Sequence, residues 1–419
     1  MYNTYTETFG ALSSLRICDF TGQLAGAGAT RILSIFGAQV VRIEDILTQG
    51  GWDIFRGSGP WPDDRRGINL GGAFNNHNVE KMGITLNMRE PQAKKLLSEI
   101  ISVSDVVTEN FSKGVLSRWG FSYEEIKKVK PDVIYISNSG FGHNGPYSEF
   151  KTWGPIVQAV SGLTFQSGLP DRPPAGWGYS FMDHTGAYLM AIAILMAVFH
   201  RNKTGDGQWL DMSCTDGAAT LNGPAILDFT VNGVKARRSG MPNSNRSTYP
   251  LMAPHGIYRC SGKDNWVAIS IRDDEEWSRF VQIIGPPHIS ERIELEKVRN
   301  REAHHDVIDS HIETWTINRS PDNAARECQS VGIPAAPVQK PESRIEHDKN
   351  TGDWELFPTV DHSEIGRIRV DGMPIRLSGT PAKIRKGAPL LGQHNSYVYG
   401  NLLGMTSEQL ELLTEIGVI

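Results

Sequence analysis

The sequence predicts an α/β protein with a large Rossmann-like domain around a parallel sheet and a smaller α/β domain. Three observations carry this reading. Short β-rich runs alternate with helical patterns through the first 215 residues. The strand runs are apolar, as strands covered by helices on both faces must be. The alternation then stops, and resumes only late in the chain.

"LRICDF" (15–20) reads as a buried strand and "AGATRILSIFG" as a helix closed by Gly37. "QVVRIE" (39–44) is a second strand, and "GITLN" (83–87) a third. The helical "PQAKKLLSEIISV" precedes the strand "DVVTE", and the helix "YEEIKKV" precedes "DVIYIS" (132–137). Residues 45–80, rich in Gly, Pro, Trp and Arg, read as a long irregular connection, and long loops are often functional. "HGIYRC" and "WVAISI" read as a hairpin joined by "SGKDN", followed by helices near 275–285 and 305–315. The expected division is a large domain from 1–215 and 345–419, a linker at 216–244 and a small domain at 245–344.

Composition narrows the function classes. A hydrophobic fraction of 39% and a charged fraction of 21% are those of a globular protein. The net charge of −5 argues against non-specific nucleic-acid binding. The longest apolar run, Ala187–Phe199, has 13 residues, short of the roughly 20 needed to span a bilayer. The N-terminus "MYNTYTETFGALSS" shows neither a basic n-region nor a long apolar core, so no secretory leader or membrane anchor is expected. Four scattered cysteines (Cys18, Cys214, Cys260, Cys328) without CxxC spacing read as reduced core thiols in a cytoplasmic protein.

The most suggestive stretch is "GYSFMDHTGAY" (178–188), where Asp183 precedes an apolar helical run. Aspartate is a favoured N-cap, since its carboxylate accepts the free N–H groups of the first turn. It is equally placed to be a nucleophile toward an activated acyl group, kept ionised at a helix N-terminus in a dry pocket beside Phe181 and Met182. Locally both readings stand. The glycines of "GQLAGAG" (22–28) fall at 22, 26 and 28, not as GxGxxG, so close helix–strand packing explains them better than a dinucleotide. "HH" (304–305) lacks matching ligand spacing, and no metal is expected. Ser213, Cys214 and Asp216 come without a GxSxG elbow.

Several ordered segments together resemble the class III CoA-transferase family, which includes formyl-CoA and carnitine CoA-transferases. "LRICDFTGQLAGAGATRILSIFGAQVVRIE" resembles its opening strand–loop–helix–strand, "EKMGITLN" its "NKRSIxLN", and "DVVTENFSKGVLSRWGFSYEEI" its "NF…lG" segment. "PDVIYISNSGFGHNGPY", "TGDGQWLDMSCTDG" and "PLLGQH" extend the match. The resemblance implies that Asp183, in "MDHTGA", is the nucleophile. It implies a CoA thioester as substrate, no prosthetic group, and two chains interlocked as a homodimer or paired with a homologous unlike subunit. CoA would pass Gln23, Leu24 and Ala25 at the pantetheine entrance and Asn110 and Phe111 on the wall. Arg42 and Lys81 would meet the nucleotide phosphates, with Arg118 a further candidate. Met82 stands where the family motif has Arg, and "SNRSTYPLMAPHGIY" lacks the glycine run some members carry.

Two rival functions remain. An acyl-CoA racemase of the same superfamily needs a His base, and the corresponding position here is Trp153, which cannot accept a proton. A non-catalytic subunit binding CoA esters would not need Asp183. Trp52, Phe55, Trp61, Trp153 and Trp177 suggest room for an apolar or aromatic acyl group, with succinyl-CoA as donor and an aryl- or alkyl-substituted acid as acceptor.

Overall fold

Six strands form one parallel sheet in the order β3-β2-β1-β4-β5-β6 in the computed structural model, which describes residues 9–178, 180–290 and 293–419. Residues 1–8 of the stretch read for a leader lie outside the described residues, as does Tyr179 of the 178–188 stretch. The strands are β1 (Arg16–Asp19), β2 (Gln39–Glu44), β3 (Met82–Thr85), β4 (Val106–Glu109), β5 (Ile134–Ser139) and β6 (Trp209–Ser213). The helices between them are α1 (Ala25–Ile35), α2 (Gly72–His77), α3 (Pro91–Ser102), α4 (Val115–Trp119), α5 (Tyr123–Val129), α6 (Gly154–Val160), α7 (Leu163–Gln166) and α8 (Phe181–Thr204). The chain runs outward from β1 to β3, returns, and continues from β4 on β1's other side. The strand order therefore reverses between β1 and β4, the place where open α/β sheets bind ligands.

The strands form because Ile17, Cys18, Val40, Val41, Val106 and Val107 are covered on both faces and wholly buried. Each such side chain contributes about 1.5–3 kcal/mol on leaving water. One face carries α3, α5 and the C-terminal residues Val418 and Ile419; the other carries α1 and α8. The glycines of 22–28 match this packing. A Cβ at Gly26 would lie 2.5 Å from Thr21 Cβ, and one at Gly28 only 3.0 Å from Ala187 Cβ. They let α1 approach the β1 loop and α8.

Helix α8 is longer than its 13-residue apolar run, with 24 residues and a mean hydropathy of 1.5 in its most apolar window. By length and composition alone it could cross a membrane. Its Ala187, Met190, Ala191, Ile194 and Ala197 instead pack into the sheet core with Ile17, Leu33, Ile134 and Ile136.

The chain divides into two compact units. One comprises the chain to Ser167 with Ala175–Lys235 and Asn350–Ile419; the other is Gly168–Pro174 with Ala236–Lys349. The expected linker at 216–244 is thus partly regular structure: α9 (Cys214–Ala219) and α10 (Gly223–Asn232) belong to the first unit. Helix α10 buries none of its residues, so it lacks the one-sided periodicity that marks a helix in sequence. The second unit holds an antiparallel sheet of β7 (His255–Arg259), β8 (Trp266–Ser270) and β9 (Ala335–Pro337), with β7 and β8 paired as a hairpin. Its core gathers Trp277, Phe280, Ile308 and Ile312.

Candidate active site

A cavity of about 380 Å³ opens at the carboxyl ends of β1, β4 and β5, where the strand order reverses. The loop after β1 supplies Gly22, Gln23, Leu24 and Ala25; the loop after β4 supplies Asn110, Phe111, Ser112 and Lys113. Ser139 and Gly140 end β5 on its floor, and Trp153, Gly154, Met182, Asp183 and Cys214 close the other side.

Asp183 is the third residue of α8; the N-cap position belongs to Ser180, whose φ of 45° is left-handed. The cap reading of Asp183 is therefore corrected: its carboxylate stands in the first turn but faces the cavity. Burial raises its pKa above the ordinary carboxylate value, while a hydrogen bond from Ser180 and the nearby His184 ring pull it back. Gly154, first residue of α6, comes so close that a Cβ there would lie 2.5 Å from Asp183 Oδ2. On the far side, Cys214 Sγ donates to Asn138 Oδ1 at 3.0 Å. Burial and the Asp183 charge push this thiol up to about 12, which keeps it protonated.

The β1 and β4 loops are tied together. Asn110 Oδ1 accepts the Gly22 N–H at 2.8 Å, and Asn110 Nδ2 donates to Gly22 O at 3.0 Å. Asn110 thus fixes the entrance loop besides lining the wall. Leu24 and Ala25 are buried, and Gln23 takes a φ of 57° at the turn. Phe111 meets Trp52 edge-on at 5.7 Å, with Trp119 and Phe20 completing an aromatic group. Of the five aromatic residues singled out, Trp52, Phe55 and Trp153 line the cavity, whereas Trp61 and Trp177 do not.

Arg42 and Lys81, expected at the nucleotide phosphates, are 2% and 3% exposed, make their contacts inside the protein and lie outside the cavity lining. Arg42 pairs with Asp53 at 2.8 Å and donates to Thr21 O. Lys81 Nζ lies 2.7 Å from Thr30 Oγ1, 3.0 Å from Ala27 O and Asn78 Oδ1, and 3.4 Å from Asp19. Sequence spacing placed both at strand ends but not which way they point. Arg118 is exposed on α4, outside the cavity lining, with Nη1 3.4 Å from Lys113 O. The cations that do line the cavity are Lys113, held by Ser148 at 3.0 Å and Glu149 at 3.2 Å, and the exposed Lys151. Lys151 and Gly154 escaped the sequence reading, because nothing local distinguishes them from ordinary loop residues.

A family model described as CoA-transferase family III matches residues 12–395. Among curated relatives, a succinyl-CoA–D-citramalate CoA-transferase of Chloroflexus aurantiacus is 28% identical, covering 97% of this chain and 98% of its own. A formyl-CoA:oxalate CoA-transferase of Streptomyces coelicolor is 31% identical, covering 98% of this chain and 100% of its own. Among solved structures, a CAIB/BAIF family protein from Brucella suis superposes with a TM-score of 0.81 at 25% identity, over 94% of this chain and 100% of that one. A match of this extent, on a cavity at the strand-order reversal with a carboxylate facing it, makes the chain a member of CoA-transferase family III and a CoA-transferase.

Proposed function

We propose that the enzyme moves CoA from an acyl-CoA thioester to a free carboxylic acid by way of Asp183. The observation that carries this is the Asp183 carboxylate itself, half-buried, opening into the cavity beside Gly154. In the first step the carboxylate attacks the donor thioester carbonyl; the C–S bond breaks, leaving a mixed anhydride and CoA thiolate. The thiolate attacks the aspartyl carbonyl, releasing the donor acid as carboxylate and leaving an aspartyl-CoA thioester. The acceptor carboxylate attacks that thioester, expelling thiolate and forming a second anhydride. The thiolate then attacks the acceptor's carbonyl, giving the new acyl-CoA and restoring the Asp183 carboxylate.

One negative charge passes through every step and no proton moves. The site accordingly needs no general base, which fits a tryptophan at 153 and disfavours the racemase reading. It needs a dry pocket, because water would hydrolyse either anhydride. Met182 is buried beside Asp183, and Phe150 and Trp153 supply apolar cover.

The CoA chain is assigned to the groove past Gln23, Leu24 and Ala25, with Asn110 and Phe111 as its wall. The phosphates are assigned to Lys113, Lys151 and Arg118, the accessible cations near the strand ends. For the acid pair we favour succinyl-CoA as donor and an aryl- or alkyl-substituted acid as acceptor. The aromatic lining by Trp52, Phe55 and Trp153 supports the second half of that choice. The Chloroflexus relative's name and that of a succinyl-CoA–L-malate CoA-transferase beta subunit support the first.

The same beta-subunit name keeps an unlike partner open beside an interlocked homodimer. Tyr188, Ile192, Met196 and Phe199 form an exposed apolar stripe along α8, and Leu227, Phe229 and Val231 are exposed on α10. Exposed apolar surface of this kind fits a second chain. A cytoplasmic location accords with four buried free thiols.

The test is Asp183→Asn, which keeps shape and size. Transfer should fall by orders of magnitude while the melting temperature stays near wild type. Hydroxylamine added with acyl-CoA should trap a hydroxamate at Asp183 only in the wild type. Near-normal transfer by a verified Asn variant would sink the proposal.

A further inference from the structure

We propose that a second cavity, beside the first turns of α8, binds a small carboxylic acid with an apolar tail, and that Arg31 holds its carboxylate. The cavity has a volume of about 310 Å³ and shares no lining residue with the one that Asp183 faces. It is walled by α1 between 28 and 32, by α8 between 184 and 188, and by the C-terminal segment at 356–357 and 371–374. All three belong to the first compact unit.

Arg31 is 8% exposed and lines this cavity. Among the described residues it forms no ion pair, and its single side-chain hydrogen bond runs from Nη2 to the Asp371 carbonyl. Its Nε is buried without a partner, and its Nη1 donates to no described residue. The Asp371 carboxylate turns to Asn76 instead: Asn76 Nδ2 donates to Asp371 Oδ2 at 2.7 Å, and Asn76 Oδ1 accepts the Asp371 N–H at 2.8 Å. Burial draws Arg31 below its ordinary pKa, with Asp371 and Tyr188 opposing, and an arginine keeps its proton regardless. A buried charge without a carboxylate partner is costly, and the planar guanidinium fork matches the two oxygens of a carboxylate.

The rest of the lining selects among anions. Ile32, Ala187, Leu356, Phe357, Met373 and Pro374 supply uncharged walls, which suit a hydrocarbon or aryl tail better than a bare phosphate. His77 adds no charge: burial lowers it to about 4, and its Nδ1 faces Ala73 O at 2.9 Å and so carries the ring proton. Apolar walls around one guanidinium are the arrangement that orients a small amphiphilic acid, head inward on the charge. Acids of this class are what a CoA-transferase consumes and releases, which gives the site a source of ligand.

Calorimetric titration and melting curves with phenylacetate, phenylacetamide and inorganic phosphate, on the wild type and Arg31→Gln, test the site. Phenylacetate should bind the wild type, and its affinity should fall about tenfold or more in Arg31→Gln, as loss of charge-assisted hydrogen bonds implies. Phenylacetamide, alike in shape but uncharged, and phosphate, charged but without a tail, should each bind the wild type about tenfold more weakly than phenylacetate. Without ligand, Arg31→Gln should melt no lower than the wild type, because it strands no carboxylate partner, and CoA transfer should stay within about twofold. Unchanged phenylacetate affinity in Arg31→Gln would place the acid elsewhere and overturn the proposal; if the melting temperature also falls, the arginine is structural. Equal binding of the amide or of phosphate overturns the ligand class on the wild type alone. So does no binding of phenylacetate at all, as when a side chain of a second chain fills the cavity. Where Arg31→Gln does not fold, Arg31→Lys replaces it, since lysine keeps the charge and loses the fork, and an unchanged affinity there overturns the site equally.

Discussion

Gly154→Ala offers a sharp test of the geometry around Asp183, the nucleophile of our proposal. The added Cβ would sit 2.5 Å from Asp183 Oδ2 and 3.5 Å from its Cγ. Non-bonded contact requires about 3.3–3.5 Å, so the carboxylate must move by about 1 Å or rotate away. A displacement of about 1 Å from the attack position costs on the order of a hundredfold in rate. Stability should move little, because Gly154 lies outside the left-handed region and alanine is the better helix former by about 1 kcal/mol. Thioester exchange followed by mass should show kcat reduced about a hundredfold. Binding of an unreactive CoA thioether and the melting temperature should stay near wild type. A Gly154→Ala enzyme with normal kcat would mean that Asp183 attacks from a different rotamer, or that it does not attack at all.

Two other outcomes separate scaffold from ligand contact and test the assembly. Arg42→Ala strips Asp53 of its buried partner and should lower stability by about 3–5 kcal/mol, whereas Arg118→Ala should keep the melting temperature and raise KM for the CoA ester; the reverse pattern in melts and kinetics would refute the assignment. Sedimentation at micromolar concentration should give at least a dimer mass, and a stable monomer would refute a second chain covering the apolar surface of α8 and α10.

The parts of the fold that were legible are those where local pattern and burial coincide. "QVVRIE" and "YEEIKKV" are strand and helix to the residue because Val40, Val41 and Ile43 are buried together and Ser122 caps the helix on Glu125 N–H. Strand β6 was not read as an element, since at the sheet edge Trp209 and Asp211 remain exposed and the run carries no continuous apolar signal. Helix α10 is illegible for a related reason, since it buries none of its residues, while α9 is too short at six residues to write a period. Asp183 was legible as a special residue only through the order of motifs around it. Its position as third residue of α8, rather than cap, depends on the turn at Ser180, which the sequence does not announce.

Arg42 and Lys81 mark the other boundary of sequence reasoning, because a cation at a strand end has two physical uses. It can meet a ligand's phosphate, or it can neutralise carboxylates that the fold itself buries. Asp19, wholly buried in β1, is such a carboxylate. Burial would raise its pKa, yet Lys81, Arg42 and the Thr21 hydrogen bonds hold it below the ordinary value. Burial in turn draws Lys81 down to about 8, with Asp19 pulling the other way. Thr21 and Thr30 hydroxyls donate to the same carboxylate, and Arg42 holds Thr21 O. This network sits directly under Gly22, Gln23 and Leu24, the residues that form the cavity's entrance. The two cations therefore hold the backbone that leads into the entrance loop, and the phosphate contacts fall in our proposal to the more exposed Lys113, Lys151 and Arg118.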